Sequence, residues 1–230
     1  MMKFLGINNK PGQGAIALAV ALAVILAPSL VQAKAGGDAG EVKVLTENAL
    51  WEAAGNAYSK GSDKSAAMQQ YRLFVQEYGG SQHAADAQYM LAECYFASED
   101  FEGALREYDK VKGKKGLDDY LKASVLLRQG ECYYNLGQYS QAIKRYDRLV
   151  SKYDDTFMLA EGLYEIGLAY IVEGNWLKLN SAYRELLETR PGYAEKPQVK
   201  FALGLFAYQD QNYEEAITYF SEVPCYVCVL

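Results

Sequence analysis

The stretch LLRQGECYYNLGQYSQAIKRY, residues 126–146, decides how the whole chain is read. Gly130 and Tyr133 stand three residues apart and Ala142 and Tyr146 four apart, spacings that put each pair on one face of a helix. Between the pairs lies Gly137-Gln138, a break of the kind that joins antiparallel helices. The segment predicts a helical hairpin whose first helix carries a small residue and a tyrosine, and whose second carries an alanine and a tyrosine.

The same pattern recurs in both directions along the chain. Small residues fall at Gly55, Ala92, Gly130, Gly167 and Gly204, at intervals of 37, 38, 37 and 37 residues. Tyr58, Tyr95, Tyr133 and Tyr170 follow three positions later, with Ala207 the exception. Ala67, Ala104, Ala142, Leu179 and Ala216 come twelve after each small residue, and Tyr71, Tyr108, Tyr146, Tyr183 and Phe220 four beyond those. Polar breaks recur at Glu99-Asp100, Gly174-Asn175 and Asp210-Gln211-Asn212. The glycine or alanine is expected to let the two helices approach closely, with the aromatic residues filling the groove beside that contact. One such hairpin cannot bury its apolar face alone, so neighbouring units must stack.

On these residues the chain resembles the tetratricopeptide repeat, whose pattern is W-x2-L-G-x2-Y, then A-x3-F, then P. Leu126, Gly130, Tyr133, Tyr139, Ala142 and Tyr146 match it in residues 120–154, Trp51 supplies the tryptophan of the first unit and Pro191 the proline of the fourth. The resemblance covers about residues 47–224 and implies an all-α fold, a right-handed superhelical solenoid of about five helix-turn-helix repeats. The repeats run about 47–80, 83–116, 120–155, 157–192 and 196–224. The period exceeds the usual 34 by about one helical turn, which predicts a longer second helix. Longer repeats punctuated by Tyr78-Gly79-Gly80, Tyr153-Asp154-Asp155 and Arg190-Pro191-Gly192 are similar to the bacterial envelope branch of the family. That branch includes the lipoprotein of the β-barrel assembly machine and the periplasmic coordinator of the Tol-Pal system. Here the lipidated cysteine of the former and the long coiled coil of the latter are not seen.

Residues 1–33 differ from the rest. Lys3 and Lys10 precede an apolar run from Ala15 to Ala27, then Pro28 and Val31-Gln32-Ala33, the order of a cleavable export signal. Cleavage is expected after Ala33 or Ala35, leaving a short glycine-bearing linker to residue 46. The competing expectation is an uncleaved segment anchored in the inner membrane and facing the periplasm, although a span needs roughly 20 apolar residues. Residues 1–33 hold two lysines and no acid, so 21 of 23 basic and all 29 acidic side chains remain, a net charge of −8. That balance excludes nucleic acid as the natural partner.

The residue types that carry chemistry are sparse. Cys94 and Cys132 stand where other units have Ala57 and Ala169, as small buried hydrophobes. Their equivalent places on stacked helices exceed disulfide reach. Cys225 and Cys228 form a C-x-x-C in an apolar tail, residues 225–230, with neither a redox setting nor further zinc ligands nearby. His83 is the only histidine, and no nucleophile is spaced to partner it. No catalytic residue, metal site or cofactor is expected.

A protein or peptide partner is expected instead. In the family the first helices line the concave face, and carrying that face over by resemblance assigns it Glu52 and Asn56 in the first unit, then Asp86, Tyr89, Glu93 and Phe96. The third unit adds Leu127, Glu131, Tyr134 and Asn135, the fourth Tyr164, Leu168 and Ile171, and the fifth Phe201, Leu205 and Tyr208. Exposed aromatic groups on a rigid surface are favourable anchors. The lysine-and-asparagine clamp with which some relatives hold a terminal carboxylate is mostly missing. The function implied is an exported scaffold or adaptor within a cell-envelope assembly, with a membrane-anchored accessory or chaperone of the export machinery as the alternative. The apolar tail and the want of a capping helix predict that the fifth repeat is covered by further chain, a partner or a second copy.

Overall fold

The computed structural model describes residues 46–61, 64–153 and 156–224, and the side chains of Thr156 and Phe157 are left aside. The expected signal segment and the tail at 225–230 lie outside the described residues, as does the linker up to residue 45. Ten α-helices and one 3₁₀ helix form, with no strand among the described residues. They are α1 (Glu47–Lys60), α2 (Ser65–Glu77), α3 (Ala84–Ala97), α4 (Phe101–Val111), α5 (Asp119–Asn135), α6 (Tyr139–Lys152), α7 (Thr156–Glu173), α8 (Trp176–Thr189), α9 (Pro197–Gln209) and α10 (Tyr213–Ser221). The 3₁₀ helix, Pro191–Glu195, precedes α9. None of the described helices is long and apolar enough to cross a membrane.

Each helix packs on the next in chain order, which makes five stacked hairpins. Consecutive first helices also meet across repeats, α3 with α5 and α5 with α7, and consecutive second helices make no comparable contact. A stack in which one set of helices converges and the other splays must curve toward the first set. At these contacts the stack curves toward α3, α5 and α7, which therefore line its inner, concave side.

Aromatic rings hold each hairpin shut. Tyr71, Tyr108, Tyr146 and Tyr183 on the second helices are all buried, and so are the alanines or leucine four residues before them. A Cβ placed on Gly130 would stand 2.3 Å from Tyr146 Cε1, one on Gly167 1.9 Å from Tyr183 Cε1, and one on Gly204 2.6 Å from Phe220 Cε1. The expectation was a close backbone approach with the ring beside it; the structure seats the ring itself on the glycine. Gly55 departs further, since a Cβ there would come no nearer than 4.0 Å, to Tyr71 Oη. In the second repeat Ala92 and Tyr108 share one buried cluster.

The turns within hairpins are as regular as the rings. Glu99, Gly137, Gly174 and Gln211 all have left-handed φ, between 59° and 71°. At each, the next residue's N–H bonds back five residues, as in Gln138 N to Tyr133 O at 2.8 Å and Asn175 N to Tyr170 O at 2.9 Å. This is the Schellman closure of a helix. The residue that completes it also caps the second helix: Asp100, Asn175 and Asn212 each accept a backbone N–H three residues on. Gln138 occupies the same place with the same backbone and makes no side-chain cap.

The extra helical turn per repeat is not in the second helices, contrary to the sequence expectation. They have 13, 11, 14, 14 and 9 residues, against 14, 14, 17, 18 and 13 for the first helices. The added residues extend α5 and α7, or build the connections between repeats, of which the 3₁₀ helix is the most ordered. A turn added to a second helix would displace the ring-on-glycine contact of its own hairpin, whereas one added between hairpins leaves that contact alone.

Two outcomes follow for stability, both read from reversible denaturation. Gly130→Ala is expected to cost about 1–3 kcal/mol, the range for overpacking, while Gly55→Ala, in a helix with room for the methyl, is expected to gain up to about 1 kcal/mol. Gln138→Asp is expected to stabilise by roughly 1 kcal/mol, because the shorter side chain supplies the missing cap. Equal effects of the two glycine substitutions, or no gain from Gln138→Asp, would contradict the geometry.

Candidate functional site

The inner face carries a line of charge across the middle repeats. Glu93 on α3 is 8% exposed and accepts a hydrogen bond from the Tyr108 hydroxyl. Arg128 on α5 reaches it, Nε to Oε1 at 3.2 Å, and turns its Nη1 to Glu131 Oε2 at 2.6 Å. The guanidinium also lies 5.1 Å from the centre of the Phe96 ring. One arginine on α5 thus ties α3 to its own helix through two carboxylates and an aromatic face.

The line continues onto α7 with Glu161 and Glu165. Glu161 accepts from the Tyr193 hydroxyl, which the 3₁₀ helix brings over the groove. Lys196, at the start of α9, places its Nζ 3.8 Å from the centre of the Tyr164 ring and 4.5 Å from that of Tyr193. Glu165 forms no hydrogen bond or salt bridge with a described residue. Burial pushes its carboxyl up to about 7, the charges of Glu131 and Glu161 push the same way, and Lys196 and Arg128 oppose them. Burial likewise raises Glu131, and Arg128 beside it does not cancel the effect.

Beneath this face lies an orphan. Tyr146 is fully buried and its hydroxyl has no hydrogen-bond partner. Two of its equivalents are satisfied, Tyr108 by Glu93 and Tyr183 by the carbonyl of Tyr164 at 3.5 Å. The Tyr146 phenol is raised by burial and then by the Glu165 and Glu131 carboxylates; by the repeat its hydroxyl is set toward Glu131 as that of Tyr108 is toward Glu93, and Glu165 toward Glu131 as Arg128 is toward Glu93.

The residues assigned to the groove from sequence divide into three groups. Glu52, Asn56, Asn135 and Tyr208 are exposed, and Asp86, Tyr89, Phe96, Leu127, Glu131, Tyr134, Leu168, Ile171, Phe201 and Leu205 are half-buried on the first helices. Glu93 and Tyr164 are corrections, since both are buried and held by their own chain. Tyr164 lies parallel to Tyr183 at 6.4 Å and against Tyr193 at 5.7 Å; the 3₁₀ helix covers it, so it is no free anchor. Arg128, Glu161, Glu165, Tyr193 and Lys196 were not singled out in the sequence. A sign was present: the position two before the small residue reads Ala53, Met90, Arg128, Glu165 and Ala202, charged in two successive repeats only.

Other reactive groups are built into the scaffold. His83 stacks on Trp51 at 5.2 Å. Cys94 and Cys132 are free and buried, and burial raises both thiols to about 12, far above the range of a reactive thiolate.

Two tetratricopeptide-repeat profiles match the chain, one over residues 52–119 and 164–225 and the other over 124–156. The chain belongs to the tetratricopeptide-repeat family. No curated protein matches it by sequence. Among solved structures it is similar to MamA 41-end from Desulfovibrio magneticus RS-1, with TM-score 0.60, 17% identity, 76% of this chain and 92% of that one covered. PilF of Pseudomonas aeruginosa gives 0.56, 18%, 76% and 74%. YrrB, described as a tetratricopeptide-repeat protein with an unusual peptide-binding site, gives 0.54, 19%, 74% and 80%. These likenesses establish the fold, a solenoid of tetratricopeptide repeats.

The raised Glu165 makes a pH-dependent stability testable. The folded chain binds a proton there more tightly than the unfolded chain, so the group's contribution declines as pH rises from about 4.5, the ordinary glutamate value, through about 7. Glu165→Gln is expected to flatten the dependence of Tm on pH across that window and to raise Tm most above pH 7. An unchanged slope would show that Glu165 titrates as an ordinary carboxyl.

Proposed function

We propose that this chain is an exported adaptor of a bacterial envelope assembly that holds a protein or peptide partner along the inner face of its first helices. The observation that carries the reading is the line of half-buried Tyr89, Phe96, Leu127 and Tyr134 around a charged cluster on rigid helices. Such side chains bury large area at low entropic cost, and the helices that hold them are already ordered, so binding need not arrange them. The description of YrrB as peptide-binding supports a partner of this kind. Export is supported by Lys3 and Lys10 ahead of the apolar run and by Val31-Gln32-Ala33.

The test joins address to surface. Expressed with its full amino terminus in a bacterial host, the chain is expected in the periplasmic fraction, with the mass of a product beginning at Lys34 or Gly36. A photo-crosslinking residue at Phe96 or Tyr134 is expected to trap a discrete partner in the envelope, and one at Arg184, exposed on α8, is not. An intact Met1 in a membrane fraction would favour the anchored accessory of export, and equal trapping from Arg184 would remove the groove.

A further inference from the structure

Four carboxylates, Glu93, Glu131, Glu161 and Glu165, face the inner side of α3, α5 and α7, and two cations, Arg128 and Lys196, stand among them. Arg128 is committed to Glu93 and Glu131. Lys196 rests on the Tyr164 and Tyr193 rings, and Glu161 is held by Tyr193. Glu165 is left with no bonded partner, and beneath it the buried Tyr146 hydroxyl has none either. A buried hydroxyl without a partner is destabilising, and carboxylates crowded in a half-buried place repel one another. Both penalties are relieved by the same event, the arrival of a cationic hydrogen-bond donor at Glu165.

We infer that the inner face between α5 and α7 is the subsite for one lysine or arginine side chain of the partner, bound by the carboxylates of Glu165 and Glu131 over the Tyr146 hydroxyl. The inference rests on the groove reading above and names the chemistry that the groove selects. Glu165 and Glu131 receive the ligand's N–H groups, and Tyr146 acts as a positioning residue, donating to the carboxylate that the ligand fixes. Lys196 on its two tyrosine rings marks the neighbouring place as one where a cation is already held.

The subsite also has a pH response. The groups facing Glu165 are Glu131, Arg128 and Tyr134 from α5, Tyr146 from α6, Glu161 and Tyr164 from its own helix, Tyr183 from α8, and Lys196 from the start of α9. A cation binds the charged form of Glu165, whose carboxyl titrates at about 7, so affinity rises as pH increases from 6 to 8 and binding releases a proton. Arg128, held still more firmly protonated by Glu131 and Glu93, stays charged through that range.

The probes are N-acetyl-arginine amide, N-acetyl-lysine amide and the neutral N-acetyl-citrulline amide, titrated into the isotope-labelled chain and followed in amide NMR spectra. The two cations are expected to move the resonances of Glu131 and Glu165 saturably, with citrulline amide leaving them in place. Glu165→Gln is expected to weaken binding by about tenfold, the effect of losing one charge-assisted contact, with Tyr146→Phe lowering affinity by a smaller factor. Glu185→Gln, the same charge change at an exposed place on α8, is expected to change it less than about twofold, as a screened surface charge should. Citrulline amide binding as tightly as arginine amide, or equal losses from Glu165→Gln and Glu185→Gln, would overturn the subsite. Partner crosslinks at Phe96 and Tyr134 that persist in Glu165→Gln, with no cation binding in the wild-type chain, would overturn it while leaving the groove reading intact.

Discussion

The contact between a second-helix aromatic ring and the small residue of its own first helix governs the rest of this molecule. Tyr146 on Gly130, Tyr183 on Gly167 and Phe220 on Gly204 set the distance and rotation of each hairpin, because a ring has only one way to lie flat on a helix that lacks a side chain there. Once the hairpin is closed, its remaining apolar surface has no cover except the next hairpin. Stacking is the consequence, and curvature follows from first helices that meet across repeats while second helices do not.

That contact also places polar atoms where they matter. A tyrosine ring laid across the first helix carries its hydroxyl through to the inner face. Tyr108 delivers it to Glu93, Tyr183 to a backbone carbonyl, and Tyr146 to the neighbourhood of Glu131 and Glu165 without a bond. Packing and recognition are therefore not separate layers in this solenoid. The residues that shut the hairpins form the floor of the surface on which a partner would rest, and one of those floor positions is unsatisfied.

The inserted 3₁₀ helix shows how a departure from the regular repeat creates a local feature. Pro191–Glu195 lies between repeats, so it adds residues without disturbing a ring-on-glycine contact. It lays Tyr193 over Tyr164 and on Glu161, and delivers Lys196 to both rings. The uncapped Gln138 and the left-handed Glu99 and Gln211 are the opposite case. There the turn geometry is kept although the residue is not the best suited to it, because four successive turns must present the same pair of helices to the stack.

The sequence by itself determined the repeat, its register and the residues that shut each hairpin. Those depend on local spacing: three and four residues make a helix face, and a 37-residue period can be counted. The inner face was assigned by resemblance, and rotation about a helix from the packing residues then selected Tyr89, Phe96, Leu127, Glu131 and Tyr134, all of which are half-buried on the first helices. Tertiary structure alone decided which of these side chains remain available. Glu93 and Tyr164, selected by the same rotation, are taken by Arg128, Tyr108, Tyr193 and Lys196, partners that come from other helices and from an irregular connection. The location of the extra turn was likewise beyond the period, because a count of residues is the same wherever the insertion falls. The coupling of Glu165 to Glu131, Glu161 and Lys196 depends on how far three helices and a 3₁₀ turn approach one another in space, a quantity that spacing along one helix does not contain.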